Sequence, residues 1–142
     1  PWRFIVLEQA ALRRLGGLAR NLAEAAGPEV VDADKASQQF ETGQLAVVVV
    51  ASPKPCSKFP QIEQTYSAGA VCLSLLNAAL ASGWGANWLS GWASHNREFC
   101  TEGLALAPHE HVAGIVHIGT GPAQMPDRPC PDVAAITQRI HE

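Results

Sequence analysis

The sequence predicts an α+β domain of three layers, an α/β/α arrangement with helices on both faces of one sheet. Three observations carry this. Strand-like and helix-like stretches alternate in the order βα, β, long α, β, α, β, α. Leu45–Ala51 (LAVVVVA) is apolar at every position, so a strand there needs cover on both faces. The stretch 62–82 is helical in pattern but apolar nearly all round, which makes it too buried for a simple crossover. At 142 residues the chain holds one domain, residues 1–142.

The elements follow in order. Arg3–Leu7 reads as a short buried strand. Glu8–Ala26 reads as a helix, because Leu12, Leu15, Leu18, Leu22 and Ala26 recur at spacings of three and four, and Gly27-Pro28 stops it. A weak helical pattern surrounds Ala36–Phe40. After Leu45–Ala51, Ser52-Pro53-Lys54-Pro55 breaks the strand. The helix over 62–82 is rich in Ala, Gly and Ser, so another helix can approach it closely, and that helix can belong to a second subunit. Ala86–Leu89 reads as a short strand after the turn Gly83-Trp84-Gly85. His95–Gly103 reads as a helix capped by Ser94 or Asn96. Val112–Gly119 is a further strand, residues 119–131 a Gly/Pro-rich excursion, and Asp132–His141 a terminal helix with Asp132 as its N-cap.

Composition excludes several classes. Apolar residues make up 47% and charged residues 16%, which is incompatible with disorder. The net charge is −3, from 10 basic and 13 acidic residues, so a nucleic-acid partner is not expected. No charge occurs between Glu63 and Arg97, a gap of 33 residues. Three asparagines, five serines and a glycine turn interrupt it, so a membrane span is not expected either. The chain opens on Pro1 directly into a strand, without a secretory leader, and its only methionine is Met125; this reads as a fragment or a processed chain. Cys56, Cys72, Cys100 and Cys130 form no C-x-x-C, which argues for reduced thiols and a cytoplasmic location.

The familiar catalytic motifs are missing from the sequence. His109-x-His111 sits in a polar turn without further ligands, so no metal site is expected. His117, in an apolar strand, reads as a hydrogen-bonded core or interface histidine. Neither Gly83-Trp84-Gly85 nor Gly119-Thr120-Gly121 extends to G-x-G-x-x-G, and G-x-S-x-G does not occur. What stands out is aromatic: Trp84, Trp88 and Trp92 lie within nine residues, interleaved with Gly85, Ser90 and Gly91. They are either core tryptophans or a strand edge that lies against a flat ring and offers it backbone groups.

Three stretches resemble the nitroreductase family of flavin-dependent oxidoreductases: Pro1-Trp2-Arg3-Phe4, Ser67–Gly91, and Ala113–Thr120. Lys58-Phe59-Pro60 with Glu63-Gln64 resembles its short single-domain branch. The resemblance implies a mixed sheet flanked by helices and a long buried helix at a homodimer interface. It implies bound FMN, NAD(P)H as electron donor, and a nitroaromatic, quinone or similar small molecule as acceptor, in ping-pong alternation. It places FMN on Trp88, Leu89 and Ser90. It places the NAD(P) contact on Ala78, Ala79, Leu80, Ala81, Ser82 and Gly83. The family's phosphate-binding helix precedes the Pro-Trp strand and is not part of this sequence, which leaves Arg128 as a phosphate partner. No catalytic side chain is expected, because a flavin carries the hydride and the protein orients it. A flavin-binding module without turnover, and a structural protein on the same fold, are the alternatives.

Overall fold

The computed structural model describes residues 1–56, 58–121 and 129–141. The chain runs β1 (Trp2–Glu8), α1 (Gln9–Ala26), α2 (Ala33–Glu41), β2 (Leu45–Ala51), α3 (Gln61–Ala81), β3 (Gly85–Leu89), α4 (Gly91–His95), a π-helical segment (Phe99–Gly103) and β4 (His111–Gly119). The strands lie in the order β1-β2-β4-β3.

Every pairing among these strands is antiparallel, where the resemblance implied a mixed sheet. The connections explain it. α1 and α2 form an antiparallel hairpin: Arg20 bonds Asp34 and Ser37, and Gly16 lies against Phe40 and Glu41. Two helices return the chain to the end where β1 stopped, so β2 runs back beside β1. A single helix, α3, then crosses from β2 to β3, making these two parallel. β4 inserts between them and runs against both.

The helices cover both faces, giving the expected three layers. On one side Leu7, Val48, Val50 and Ile115 meet Leu12, Leu15, Phe40 and Phe99, all buried. The Phe40 and Phe99 rings pack with centroids 5.2 Å apart. On the other side Val49 and Val116 are buried on the face that α3 covers with Ala68, Cys72 and Ala79. Burial pushes the Cys72 thiol up to about 11, so it stays protonated as a small core residue.

Within one chain α3 turns its small residues to the sheet, while Ile62, Tyr66, Leu73 and Leu80 point outward and stay exposed. One sheet can cover only one flank of a helix. The helix expected at 95–103 is present as the segment 97–104, largely π-helical, and Asn96 caps it as expected by accepting from the Phe99 N–H at 2.8 Å; the short α4, which takes in Trp92, precedes it without a sequence signal. The terminal helix at 132–141 is a single turn. Asp132 accepts from the Ala134 N–H as an N-cap would, but Val133, Ile136 and Ile140 find nothing to pack on. A nucleus of one turn does not propagate without burial.

One polar tie was not foreseen. Arg3 of β1 holds Glu110, just before β4, through two bonds of 2.7 Å, across the end of β2. Glu110 is buried, also accepts from the Ala107 N–H at 3.0 Å, and its carbonyl receives Arg97. The Arg3 bonds above all, then Ala107 and Ser52, lower its carboxyl from 4.5 to about 2 against the opposing effect of burial. Arg3 itself is half-exposed, so solvent screens the pair. Glu110→Gln is expected to cost about 1–2 kcal/mol at neutral pH. A carboxylate with a lowered folded pKa contributes stability above its unfolded value and loses it as pH falls. Urea unfolding should therefore show the wild-type advantage in full above pH 4.5, shrinking as pH falls toward about 2.

Candidate functional site

β3 is an edge strand of the described sheet, so alternate N–H and C=O groups along it point away from β4. Trp88 lies opposite Val116 and Leu89 opposite Ile115. Trp88 therefore faces the α3 side and Leu89 the α1–α2 side, the alternation the sequence predicts. The Trp88 indole fills the space where a Cβ on Gly114 would stand, which explains that glycine. It remains 38% exposed and forms an apolar wall.

Ser90 does not continue the strand alternation that would put it on one face with Trp88. The strand ends at Leu89; Ser90 takes φ −125°, ψ −76°, and Gly91 takes φ +72°. The Gln39 amide lies against Gly91, so this left-handed turn has neither the backbone nor the space for a side chain. Ser90 precedes α4, yet its hydroxyl makes no capping bond to it. An exposed hydroxyl, an apolar wall and an unpaired strand edge thus converge at one end of β3.

Ala78, Ala79, Leu80, Ala81, Ser82 and Gly83 lie at the other end. There α3 stops in a Schellman turn: the Gly83 N–H donates to Leu80 and the Trp84 N–H to Ala79, with Gly83 at φ +85°. Ala78, Ala79 and Ser82 line a cavity of about 580 Å³ with Gln44, Leu45 and Trp84. Ala79 is buried against the sheet rather than presented to an interface. The structure does not bring the two predicted groups together. Four residue steps of β3 separate them, about 13 Å. Arg128 lies outside the described residues.

A polar pocket with no signature in the sequence lies on the α1–α2 side of β3. Gln39, Thr42, Gln44, Asn87 and His117 line a cavity of about 330 Å³. His117 is partly buried at the border of the core, its ring 6.4 Å from that of Phe40 between centroids. Its buried Nε2, however, has no hydrogen-bond partner among the described residues. Among the described residues no group of three His, Cys, Asp or Glu side chains is placed to hold a metal, and no helix is long and apolar enough to cross a membrane.

Residues 1–120 match the Nitroreductase family, and the chain belongs to that family. It is 31% identical over 120 residues to "Putative NAD(P)H nitroreductase YdjA" of Escherichia coli K12, a match covering 84% of this chain and 65% of that protein. The chain thus spans 65% of the length of the curated relatives it matches. Among solved structures it resembles the nitroreductase-like family protein from Bacillus cereus (TM-score 0.72, 20% identity, covering 99% of this chain and 73% of that one). It also resembles a "putative nitroreductase in complex with fmn" from Desulfovibrio desulfuricans (TM-score 0.69, 19% identity, covering 98% and 72%). These likenesses confirm the fold.

Burial lowers the His117 pKa from its ordinary value of 6.5. The unfolded chain then takes up the proton more readily than the folded one, so this contribution to stability is complete above pH 6.5 and declines as pH falls. The imidazole resonances of His117 should titrate below pH 6.5, and His117→Phe should flatten the fall in unfolding free energy below that pH. A midpoint above 6.5 would contradict the burial assigned here.

Proposed function

We propose that this chain forms the core of an FMN-dependent oxidoreductase that takes hydride from NAD(P)H and delivers it to a nitroaromatic, quinone or similar acceptor. The observation that carries the reading is the end of β3: an exposed tryptophan wall, an uncommitted serine hydroxyl and unpaired backbone groups on an edge strand. Family membership and the FMN complex of a structural relative support it.

The residues present fit the ring of such a cofactor. Trp88 and Leu89 would flank it, and the Ser90 hydroxyl and backbone N–H groups would meet its polar edge. The phosphate is less well served: none of the described residues lining the cavities along β3 is a lysine or arginine. When bound, FMN supplies the hydride chemistry, accepting from the nicotinamide and donating to the acceptor. The protein's part is orientation, because hydride donor and receiving atom must approach within roughly 3–3.5 Å. Donor and acceptor would use one open face in turn.

The same reading includes a homodimer built on α3. Ile62, Tyr66, Leu73 and Leu80 form a stripe down its outer face at spacings of four and seven, the seam that a second helix packs against. Trp2, Phe4 and Val6 expose a second apolar strip on the same side of the sheet.

Three measurements test these points. Steady-state kinetics with NADH and a quinone should give parallel double-reciprocal lines. Ser90→Ala and Trp88→Ala should each weaken FMN binding by about tenfold or more, the value of one hydrogen bond or stacking wall. Intersecting lines would defeat the shared face, and unchanged affinity in both variants would remove this segment from the site. In sedimentation at micromolar concentration the chain should run as a dimer, and Leu73→Glu should run as a folded monomer; a wild-type monomer would defeat the α3 seam.

A further inference from the structure

β4 breaks its even alternation just where the Trp88 side chain crosses it. Val49 pairs with Gly114 but Val50 pairs with Val112, so Ala113 is an extra residue and β4 carries a bulge. The bulge brings Val112 and Ile115, three positions apart, into the same buried cluster on the α1–α2 side. Gly114 shares the α3 side with its partner Val49 and with Val116. Bulges of this kind gather beside sites where a side chain has to be re-aimed.

Gly114 is buried, and the indole of Trp88 takes the place of its missing side chain. Trp88 stands opposite Val116, so Gly114 is its diagonal neighbour, within reach of an aromatic ring. A Cβ on Gly114 would overlap the indole Nε1 and lie 2.7 Å from Cδ1 and 2.9 Å from Cε2. All three atoms belong to the five-membered ring, next to the stem of the side chain. No bend at a flexible far end relieves such a clash; the whole ring must swing away from β4. A glycine inside a strand weakens it and leaves packing unmade, so its place here follows from what lies over it. With Gly114 bare, the indole lies down on β4. Lifted off, it stands in the space beside the end of β3.

We propose that Gly114 is a positioning residue for the ring site: by carrying no side chain it seats the Trp88 indole against β4 and keeps open the space in which the flavin ring lies. Gly114 itself touches no ligand and acts through Trp88. The ring rests on the oxidoreductase reading above; the seat rests on the geometry alone. An aromatic ring laid on a glycine also stabilises a sheet by itself, so the test needs a readout that packing alone does not move.

That readout is FMN affinity in a double-mutant cycle. The full chain is titrated with FMN as wild type, Gly114→Ala, Trp88→Ala and the double variant, and urea unfolding checks the folding of each. Gly114→Ala should weaken binding about tenfold or more while Trp88 is present, the loss of one aromatic wall. In the Trp88→Ala background the same change should alter affinity by less than about twofold, since no indole remains to be displaced. With fluorotryptophan incorporated, the Trp88 fluorine resonance, the one missing from Trp88→Ala, should move in Gly114→Ala. Equal losses of affinity in both backgrounds, no loss with Trp88 present, or an unmoved fluorine resonance would overturn the proposal. Failure of Gly114→Ala to fold in either background assigns the glycine to the fold alone and overturns it as well. If wild type binds no FMN, it is the oxidoreductase reading that fails, and the seat stands or falls on the fluorine resonance.

Discussion

Covering β2 on both faces is the constraint on which the rest of the structure depends. Its seven residues carry no polar side chain, and Ala46, Val48, Val49, Val50 and Ala51 are buried. A strand of this kind is stable only between two layers. The α1–α2 hairpin closes one face and α3 the other, while β1 and β4 satisfy its backbone on either edge. Each of these elements in turn positions something else. The hairpin brings Gln39 to the turn at Gly91, α3 carries Trp84 to the end of the sheet, and β4 provides the glycine slot for Trp88.

Much of this was legible in the sequence because it depends on local periodicity. The four strands and the helices α1 and α3 stand within a few residues of where their apolar patterns place them. Strand direction was not legible. It turns on whether one helix or two lie between β1 and β2, and α2 is short, with only Ala36, Ser37 and Phe40 buried. The Arg3–Glu110 tie joins residues 107 apart, and no local signal marks it. The terminal segment failed for the opposite reason. Its helical periodicity is present, but the apolar residues that create it have no surface to meet.

At the site, spacing identified Trp88 and Leu89 as opposite faces of one strand, and geometry agrees. What spacing could not supply is that Ser90 leaves the strand, since that follows from the positive φ of Gly91 beside Gln39, a residue from another layer. Nor could it separate the two groups of predicted contacts. In the sequence Gly83 and Trp88 look like neighbours in one segment; folded, they stand at opposite ends of an extended strand. A single small ligand cannot touch both ends, whereas a dinucleotide, with two rings joined by a long polar bridge, has the reach.

α3 shows why side-chain size matters as much as hydrophobicity here. A helix covering a sheet normally turns its large apolar residues inward, where each buries the most area. In α3 the fully buried apolar positions are Ala68 and Cys72, with Ala79 close behind, while Tyr66, Leu73 and Leu80 face outward. Small residues let the helix sit close on β4 and β3, which shapes the cavity beneath its last turns and leaves room for Trp84 at the rim. The large residues then contribute little within one chain, since their area stays in water. Their placement is economical only if a second surface covers them, and a two-fold copy of α3 would offer a matching stripe, since an isologous contact uses the same residues twice. On that argument the low charge content of the chain and the inverted packing of α3 both fit the homodimer proposed above, in which two copies would share the third layer.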